Sequence, residues 1–274
     1  MLIFSFPFLL NNSVFLHINT LLIAINIKNY YLMHPHSTMS NDCADKSEKT
    51  WDAIAQSFDA TRRKPWKQCI DFIDTFTKED LVVDVCCGNG RHLIPCAKRC
   101  KKAIGVDLSR ELLCIVQKKL DEKNRDIANL LHSNVVHIPL KHNTVDAVLY
   151  IASLHNIKGR DRRIQSLREV RRILKNDGKA LISVWSRWQD KYRKQFFKKW
   201  FTQMGQAEFG DIDIYWRQHG LDIPRFYHLY GKREFLSDLR KADLEIVDIQ
   251  DVKMHSEKHP DNYFVVVKKK KSIE

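Results

Sequence analysis

The stretch Leu81-Val82-Val83-Asp84-Val85-Cys86-Cys87-Gly88-Asn89-Gly90-Arg91 decides how this chain folds. Its first half is a short apolar run with the length of a buried strand, and its second half is a Gly-x-Gly turn opening a helix that carries Leu93, Ile94 and Ala97. Glycines in such a turn let the backbone pass close to a ligand, and the helix start behind it offers unpaired N–H donors. Seventeen residues beyond Gly90, a second apolar run from Ala103 to Val106 ends in Asp107. An acid there can accept both hydroxyls of a ribose, so turn and acid together predict an adenosine-bearing ligand, the alternative being a tight turn and a helix-capping aspartate.

Upstream, Trp51, Ile54, Ala55 and Phe58 recur at helical spacing, and Pro65 opens a second helix with Trp66, Cys69, Ile70 and Ile73. Downstream, Ser109 is placed to cap a helix whose Leu112, Leu113, Val116 and Leu120 face inward. Further strands fit residues 129–136, 146–151 and 179–185, with a basic helix from about Asp161 to Leu174 before the last. An aromatic, basic insertion follows at about 185–230, then a helix from Phe235 to Ala242 and two strands at 244–251 and 262–268. Strands alternating with helices predict an α/β fold: a mainly parallel sheet with helices on both faces, finished by a C-terminal antiparallel hairpin.

The 274 residues suit a single core, which stops growing at roughly 250 to 300 residues. With 46 Lys plus Arg against 33 Asp plus Glu the formal net charge is +13, which favours a polyanionic partner such as nucleic acid or an acidic membrane surface. The excess is concentrated: residues 160–200 hold 14 Lys or Arg against four acids, interleaved with Trp185, Trp188, Tyr192, Phe196, Phe197 and Trp200. Such a segment can track phosphates and stack bases, or its cations can line a solvated helix face while the aromatics pack inside. Seven cysteines, including adjacent Cys86 and Cys87, do not form a disulfide framework and indicate a reducing, cytoplasmic interior. Cys96 and Cys100 stand four apart, but no Cys-x-x-Cys pair occurs, so no metal site is expected. Residues 1–39 carry one formal charge, Lys28, and make a poor signal peptide and a poor membrane span. A start set too early is the simplest account, with Met33 or Met39 as the true start, residues 1–39 a non-native or disordered extension, and residues 40–274 one domain; the alternatives are a weak membrane anchor and a processed targeting segment.

The run from Asp84 to Gly90 resembles the first motif of S-adenosylmethionine-dependent methyltransferases, with Cys86 in place of the first glycine. Asp107, Asn134-Val135, Ile138-Pro139-Leu140, Val145-Asp146-Ala147-Val148 and the Leu174 to Leu181 turn resemble its later landmarks. Thr61-Arg62-Arg63-Lys64-Pro65-Trp66, the strand end Ile151-Ala152-Ser153-Leu154-His155, Val184-Trp185 with Gln189, and Arg225-Phe226-Tyr227-His228-Leu229-Tyr230 are similar to the tRNA wobble-uridine carboxymethyl methyltransferases, over residues 50–268. The resemblance implies a Rossmann-like sheet of seven strands, S-adenosyl-L-methionine as cofactor, methyl-ester formation on a 5-carboxymethyl uridine of tRNA, and a small zinc-containing activator protein as heterodimer partner. It implies cofactor contacts at Asp84, Cys86, Gly88, Gly90, Asp107, Leu108, Asn134, Val135 and Ile151. Asn134 is often Asp in relatives, and an amide oxygen accepts a hydrogen bond more weakly. Cys86 narrows the room beside the methionine part of the cofactor.

The chemistry fits the residues. A carboxylate nucleophile is already ionised near neutral pH, so the enzyme must place and desolvate it rather than deprotonate it. Arg62, His155, Arg225, Tyr227 and His228 are the candidate catalytic contacts, and Lys64, Arg163, Arg168, Arg171, Arg172, Lys191, Arg193 and Lys194 the candidate RNA contacts. Two competing readings are a small-molecule methyltransferase on the same fold, and a catalytically silent RNA-binding or scaffolding relative motivated by Cys86 and Asn134.

Overall fold

The computed structural model describes residues 41–122, 128–202 and 208–270, and the reading of residues 1–39 lies outside them. The chain runs through α1 (Asn41–Thr61) and α2 (Lys67–Ile73), which are separated at Pro65, a residue with no N–H to give to a continuing helix. β1 (Leu81–Val85) buries Val82, Val83 and Val85 completely, as a strand covered on both faces must. α3 (Leu93–Arg99), β2 (Lys102–Asp107), α4 (Arg110–Asp121), β3 (Ala128–His132), β4 (Val145–Ile151), α5 (Arg160–Ile173) and β5 (Leu174–Trp185) then alternate. Ser109 caps α4 as expected, its Oγ accepting the Leu112 N–H at 3.2 Å.

The insertion has elements that its composition did not disclose: α6 (Arg193–Thr202) and an antiparallel hairpin of β6 (Asp211–Trp216) and β7 (Ile223–His228). α7 (Lys232–Lys241), β8 (Leu244–Val252) and β9 (Asn262–Lys269) complete the described chain. The seven-stranded sheet has the order β3-β2-β1-β4-β5-β9-β8, parallel up to β5 and antiparallel at β9 and β8. β1 pairs with β2 on one side and β4 on the other, so the winding direction reverses at its carboxyl end, where ligands bind in such sheets.

Both faces of the sheet are covered. Leu167 and Val170 of α5 and Phe235 and Leu239 of α7 pack on one face; Cys69 and Phe72 of α2, Leu93 and Ala97 of α3 and Val116 of α4 pack on the other. Two smaller clusters attach what surrounds the site. Ala55 of α1 meets Leu112 and Ile115 of α4, with Trp51 and Phe58 alongside, and Tyr192, Phe196, Tyr227 and Leu229 hold the insertion together. The aromatics of the basic window thus divide: Tyr192 and Phe196 are core, whereas Phe197 is 63% exposed. The side chains of Lys199 and Trp200 lie outside the described set. No helix among the described residues is long and apolar enough to cross a membrane.

Gly105, in the middle of β2, shows how tightly the sheet and α3 meet. A Cβ there would stand 2.6 Å from Leu93 Cδ2 and 2.9 Å from Cys87 Sγ. Gly105→Ala should therefore cost about 1–3 kcal/mol in urea unfolding, as overpacking of a filled core does; an unchanged midpoint would show that α3 yields without strain.

Candidate active site

A cleft of about 440 Å³ opens at the carboxyl ends of β1, β2 and β4, within the range of cofactor sites. Cys86, Gly88, Asp107, Leu108, Asn134, Val135 and Ile151 line its floor. Trp51, Phe58 and Arg62 of the α1 segment line a second side, and Trp216, Arg225 and Tyr227 of the hairpin a third. The floor rests on a turn with left-handed backbone at Cys86 (φ +56°) and Gly88 (φ +55°). Glycine takes that conformation freely, whereas a side chain there costs on the order of 1 kcal/mol. Cysteine thus keeps the turn in a strained form.

Asp107 is fixed by two backbone donors: Gly88 N–H at 2.8 Å to one carboxylate oxygen and Ser109 N–H at 2.9 Å to the other. Burial pushes its carboxyl up, and these N–H groups pull it back toward the ionised form. Asn134 Oδ1 accepts the Val136 N–H at 3.2 Å, which leaves one further lone pair for the cleft. Asp84 and Gly90, both expected to touch the cofactor, lie beneath the turn and are not among the lining residues. Gly90 is there for packing, since a Cβ would meet Val116 at 3.0 Å. Asp84 is buried with one oxygen unpartnered, and burial, followed by the neighbouring Asp107 carboxylate, pushes its carboxyl up to about 8.

The opposite end of the cleft is cationic. Arg225 is 7% exposed, donates to the Tyr227 hydroxyl at 2.6 Å, and lies 4.8, 5.0 and 5.6 Å from the ring centroids of Trp216, Tyr227 and Trp51. No carboxylate pairs with it among the described residues, its Nε has no partner, and burial lowers its pKa. The Arg62 guanidinium stands 5.3 Å from the same Trp216 ring. Arg91, which also lines the cleft, lies over Trp66 at 4.6 Å, and burial lowers it to about 10.

Other expected site residues are elsewhere. His155 is fully buried behind the wall: its Nδ1 accepts the Trp185 N–H at 3.1 Å and its ring stacks on Tyr227 at 5.2 Å. Burial, then the Arg225 charge, lower it to about 3, so it is a neutral ring that positions Tyr227 and does not reach the cleft. His228 is also buried outside the cleft, its ring nitrogens 2.8 Å from Asp211 and 2.9 Å from Glu234. Glu208, His228 and Glu234 bring potential ligand atoms within 4.8 Å of one another. Arg163 and Arg187 pair with two of those carboxylates, which makes the cluster an ion-pair network.

Two of the RNA contacts expected on α5, Arg163 and Arg172, are engaged with carboxylates inside the molecule. Arg163 is fully buried, bonded to Glu208, to the Tyr230 hydroxyl at 3.0 Å and to the Ile157 carbonyl at 3.2 Å. Arg172 is tied to Glu169 at 2.8 Å and to the Ile138 and Leu140 carbonyls at 2.7 and 2.6 Å, and Arg171 donates to the Asp243 carbonyl at 3.2 Å. Arg193 is bonded to His259 at 2.8 Å. Lys64, Arg168, Lys191 and Lys194 are exposed. Trp51 and Phe58, whose helical spacing reads as core, also line the cleft, as does Trp216, at the end of a run (Asp211 to Trp216) in which acids and isoleucines alternate with the period of a strand.

The crevice is that of a Rossmann-like enzyme holding an adenosine cofactor across the switch point of its sheet. The chain matches the methyltransferase domain family over residues 83–182. It is 30% identical over 200 residues to a methyltransferase-family protein of Encephalitozoon cuniculi, covering 72% of this chain and 86% of that protein. It is 34% identical over 161 residues to the tRNA (carboxymethyluridine(34)-5-O)-methyltransferase of Xenopus tropicalis, covering 58% of this chain and 24% of that one. To the protein of the same name in Schizosaccharomyces pombe it is 28% identical over 208 residues, 68% of this chain and 82% of that one. Among solved structures, the DhpI-SAM-HEP complex shares the fold with a TM-score of 0.63 at 14% identity, over 84% of this chain and 100% of that one. A methyltransferase from Clostridium acetobutylicum does so at 0.59 and 17%, over 80% and 98%. The chain belongs to the S-adenosylmethionine-dependent methyltransferases.

Two outcomes follow from the floor of the cleft. Asp107→Ala should weaken S-adenosylmethionine binding by about 1.5–3 kcal/mol in calorimetry, the worth of a buried charged hydrogen bond, and near-normal affinity would reject its role. Asp84 has the opposite sign to a stabilising carboxylate. Its folded pKa of about 8 lies above the unfolded value near 3.8, so stability is lost as pH rises between them. Asp84→Asn should accordingly melt above the parent by a margin that widens from about pH 5 to about pH 8; a constant margin would place the proton elsewhere.

Proposed function

We propose that this enzyme methylates the carboxylate of a 5-carboxymethyl-type wobble uridine in tRNA, forming a methyl ester. The observation that carries the reading is Arg225, a buried cation without a carboxylate partner among the described residues, facing the cleft from an aromatic wall. A charge so placed costs free energy until an anion meets it, which makes a carboxylate-bearing acceptor the natural occupant. The name shared by the Xenopus and Schizosaccharomyces relatives supports the same acceptor over a small molecule.

S-adenosylmethionine, when bound, supplies an electrophilic methyl group. Cys86, Gly88 and Asp107 would hold it at the floor, with Leu108, Asn134, Val135 and Ile151 beside the adenine side. Arg225 orients the acceptor carboxylate, and Trp51, Trp216 and Tyr227 exclude water from it. Part of the Arg225 hydrogen-bonding capacity is already taken by the Tyr227 hydroxyl. A softened cation suits this chemistry, since a fully engaged bidentate clamp would stabilise the ground state and slow transfer. No general base is required, in keeping with a His155 that is neutral and withdrawn.

The substrate is a tRNA, for which exposed Lys64, Arg168, Lys191 and Lys194 offer phosphate contacts. An activator protein is the second proposed partner, supported by β3 and β8, the outer strands of the sheet, which pair with no further strand among the described residues. The six cysteines described are free thiols, which supports a reducing compartment such as the cytoplasm.

Nucleoside mass spectrometry of tRNA from cells lacking the protein should show the ester replaced by the free carboxymethyl uridine; unchanged wobble uridines would refute the proposal. In vitro, Arg225→Met should lower kcat/KM for tRNA on the order of 100-fold or more, while S-adenosylmethionine affinity stays close to the parent's. Equal losses in both would move Arg225 to the cofactor.

A further inference from the structure

We propose that the outer face of the β6–β7 hairpin, together with the loop before α5, is a stacking shelf for the single-stranded RNA flanking the methylated nucleotide. The inference rests on the tRNA reading above and assigns it residues outside the catalytic end. In the hairpin, Asp213 pairs with Phe226 and Tyr215 with Pro224, so Tyr215 and Phe226 are diagonal neighbours on one face. Arg225 and Tyr227 belong to the alternate positions that face the catalytic end. Tyr215 is 47% exposed, and the Arg217 guanidinium lies 5.1 Å from its ring with its charge already met by Asp222 at 2.8 Å. The ring therefore presents an open surface beside an ion pair that is itself exposed. Phe226 and Pro224 continue that surface into the mouth of the cleft.

The cations are distributed to match. Lys158 and Arg162 line the same mouth, and neither pairs with a carboxylate among the described residues. Their neighbours Arg160 and Arg163 are neutralised by Asp238 and Glu208. Asn156 fixes this loop to the hairpin by donating from Nδ2 to the Phe226 carbonyl at 3.3 Å. An exposed ring and a half-buried one beside unpaired cations, continuous with a site that must take one unstacked nucleotide, form the arrangement that binds splayed bases and their phosphates. Asp213 is the acid at this mouth, and it directs phosphates to the Lys158 and Arg162 side.

The probe is a synthetic anticodon stem-loop carrying 5-carboxymethyluridine at its wobble position. Tyr215→Ala should weaken its binding on the order of ten-fold, with Tyr215→Phe near the parent, since stacking needs the ring and not the hydroxyl. Joint Lys158→Glu and Arg162→Glu should weaken it further and reduce the slope of log K against log salt by about one unit or more. S-adenosylmethionine affinity of the Tyr215 variants reports that the fold is intact. Parent-like stem-loop affinity in both variants, with the parent still methylating tRNA, would overturn the shelf alone. A parent that neither binds nor methylates the stem-loop would overturn the tRNA reading together with it.

Discussion

Placing the Arg225 guanidinium at 7% exposure without a carboxylate costs several kcal/mol unless something replaces its water. The Tyr227 hydroxyl and the faces of Trp216, Tyr227 and Trp51 are what replace it. Those rings come from β6, β7 and α1, so neither the hairpin nor the first helix can be positioned independently of the other. The molecule joins them directly: Trp216 Nε1 donates to Ser57 Oγ at 2.8 Å, and Ser57 Oγ meets His219 Nδ1 at 2.7 Å. α1 is in turn held to the body by its acids. Asp52 accepts from Ser109 Oγ at 2.5 Å and from the Glu111 N–H at 3.2 Å, at the positive start of α4, while Glu48 meets His132 at 2.9 Å. Behind the hairpin, the His228 network ties it to α7 and α5 through Glu234 and through Arg163 with Glu208. The polar network outside the cleft is thus the scaffold for the buried cation inside it.

The two ends of the cleft carry opposite charge for one physical reason. Burial works against the charge at both, pushing the Asp107 carboxyl up and lowering the Arg225 guanidinium. Asp107 differs because two backbone N–H groups compensate part of its burial. The Asp107 end is thus fixed by the backbone, whereas on the proposed reading the Arg225 end would be completed by what binds there.

What could be seen in the sequence was local. The strand, the Gly-x-Gly turn, the strand-end Asp107 and the Ser109 cap depend on residues a few positions apart, and each appears where its spacing placed it. The charge pattern of α5 was not local. Arg163 is inward because Glu208, 45 residues later, meets it, and no periodicity announces that. Arg172 could have been read differently, since its partner Glu169 is three residues away on the same helix. His155 and His228 stand at strand ends, where site residues are common, but the insertion closes over both, and its fold is invisible in its composition.

The concentration of positive charge between residues 160 and 200 changes meaning once its partners are known. Arg160, Arg163, Lys175 and Arg187 pair with Asp238, Glu208, Asp146 and Glu234, all acids from outside that window, and Arg172 with Glu169 inside it. Counting the window alone therefore overstates the field it offers to RNA. Arg162, Arg168, Lys191 and Lys194 have no carboxylate partner among the described residues, and Arg162 joins Lys158 at the mouth of the cleft. A uniformly basic helix face would attract any polyanion along its length. On the proposed reading, cations left unpaired beside the site would instead fix where a strand enters, which is what an enzyme acting on one nucleotide of a long chain requires.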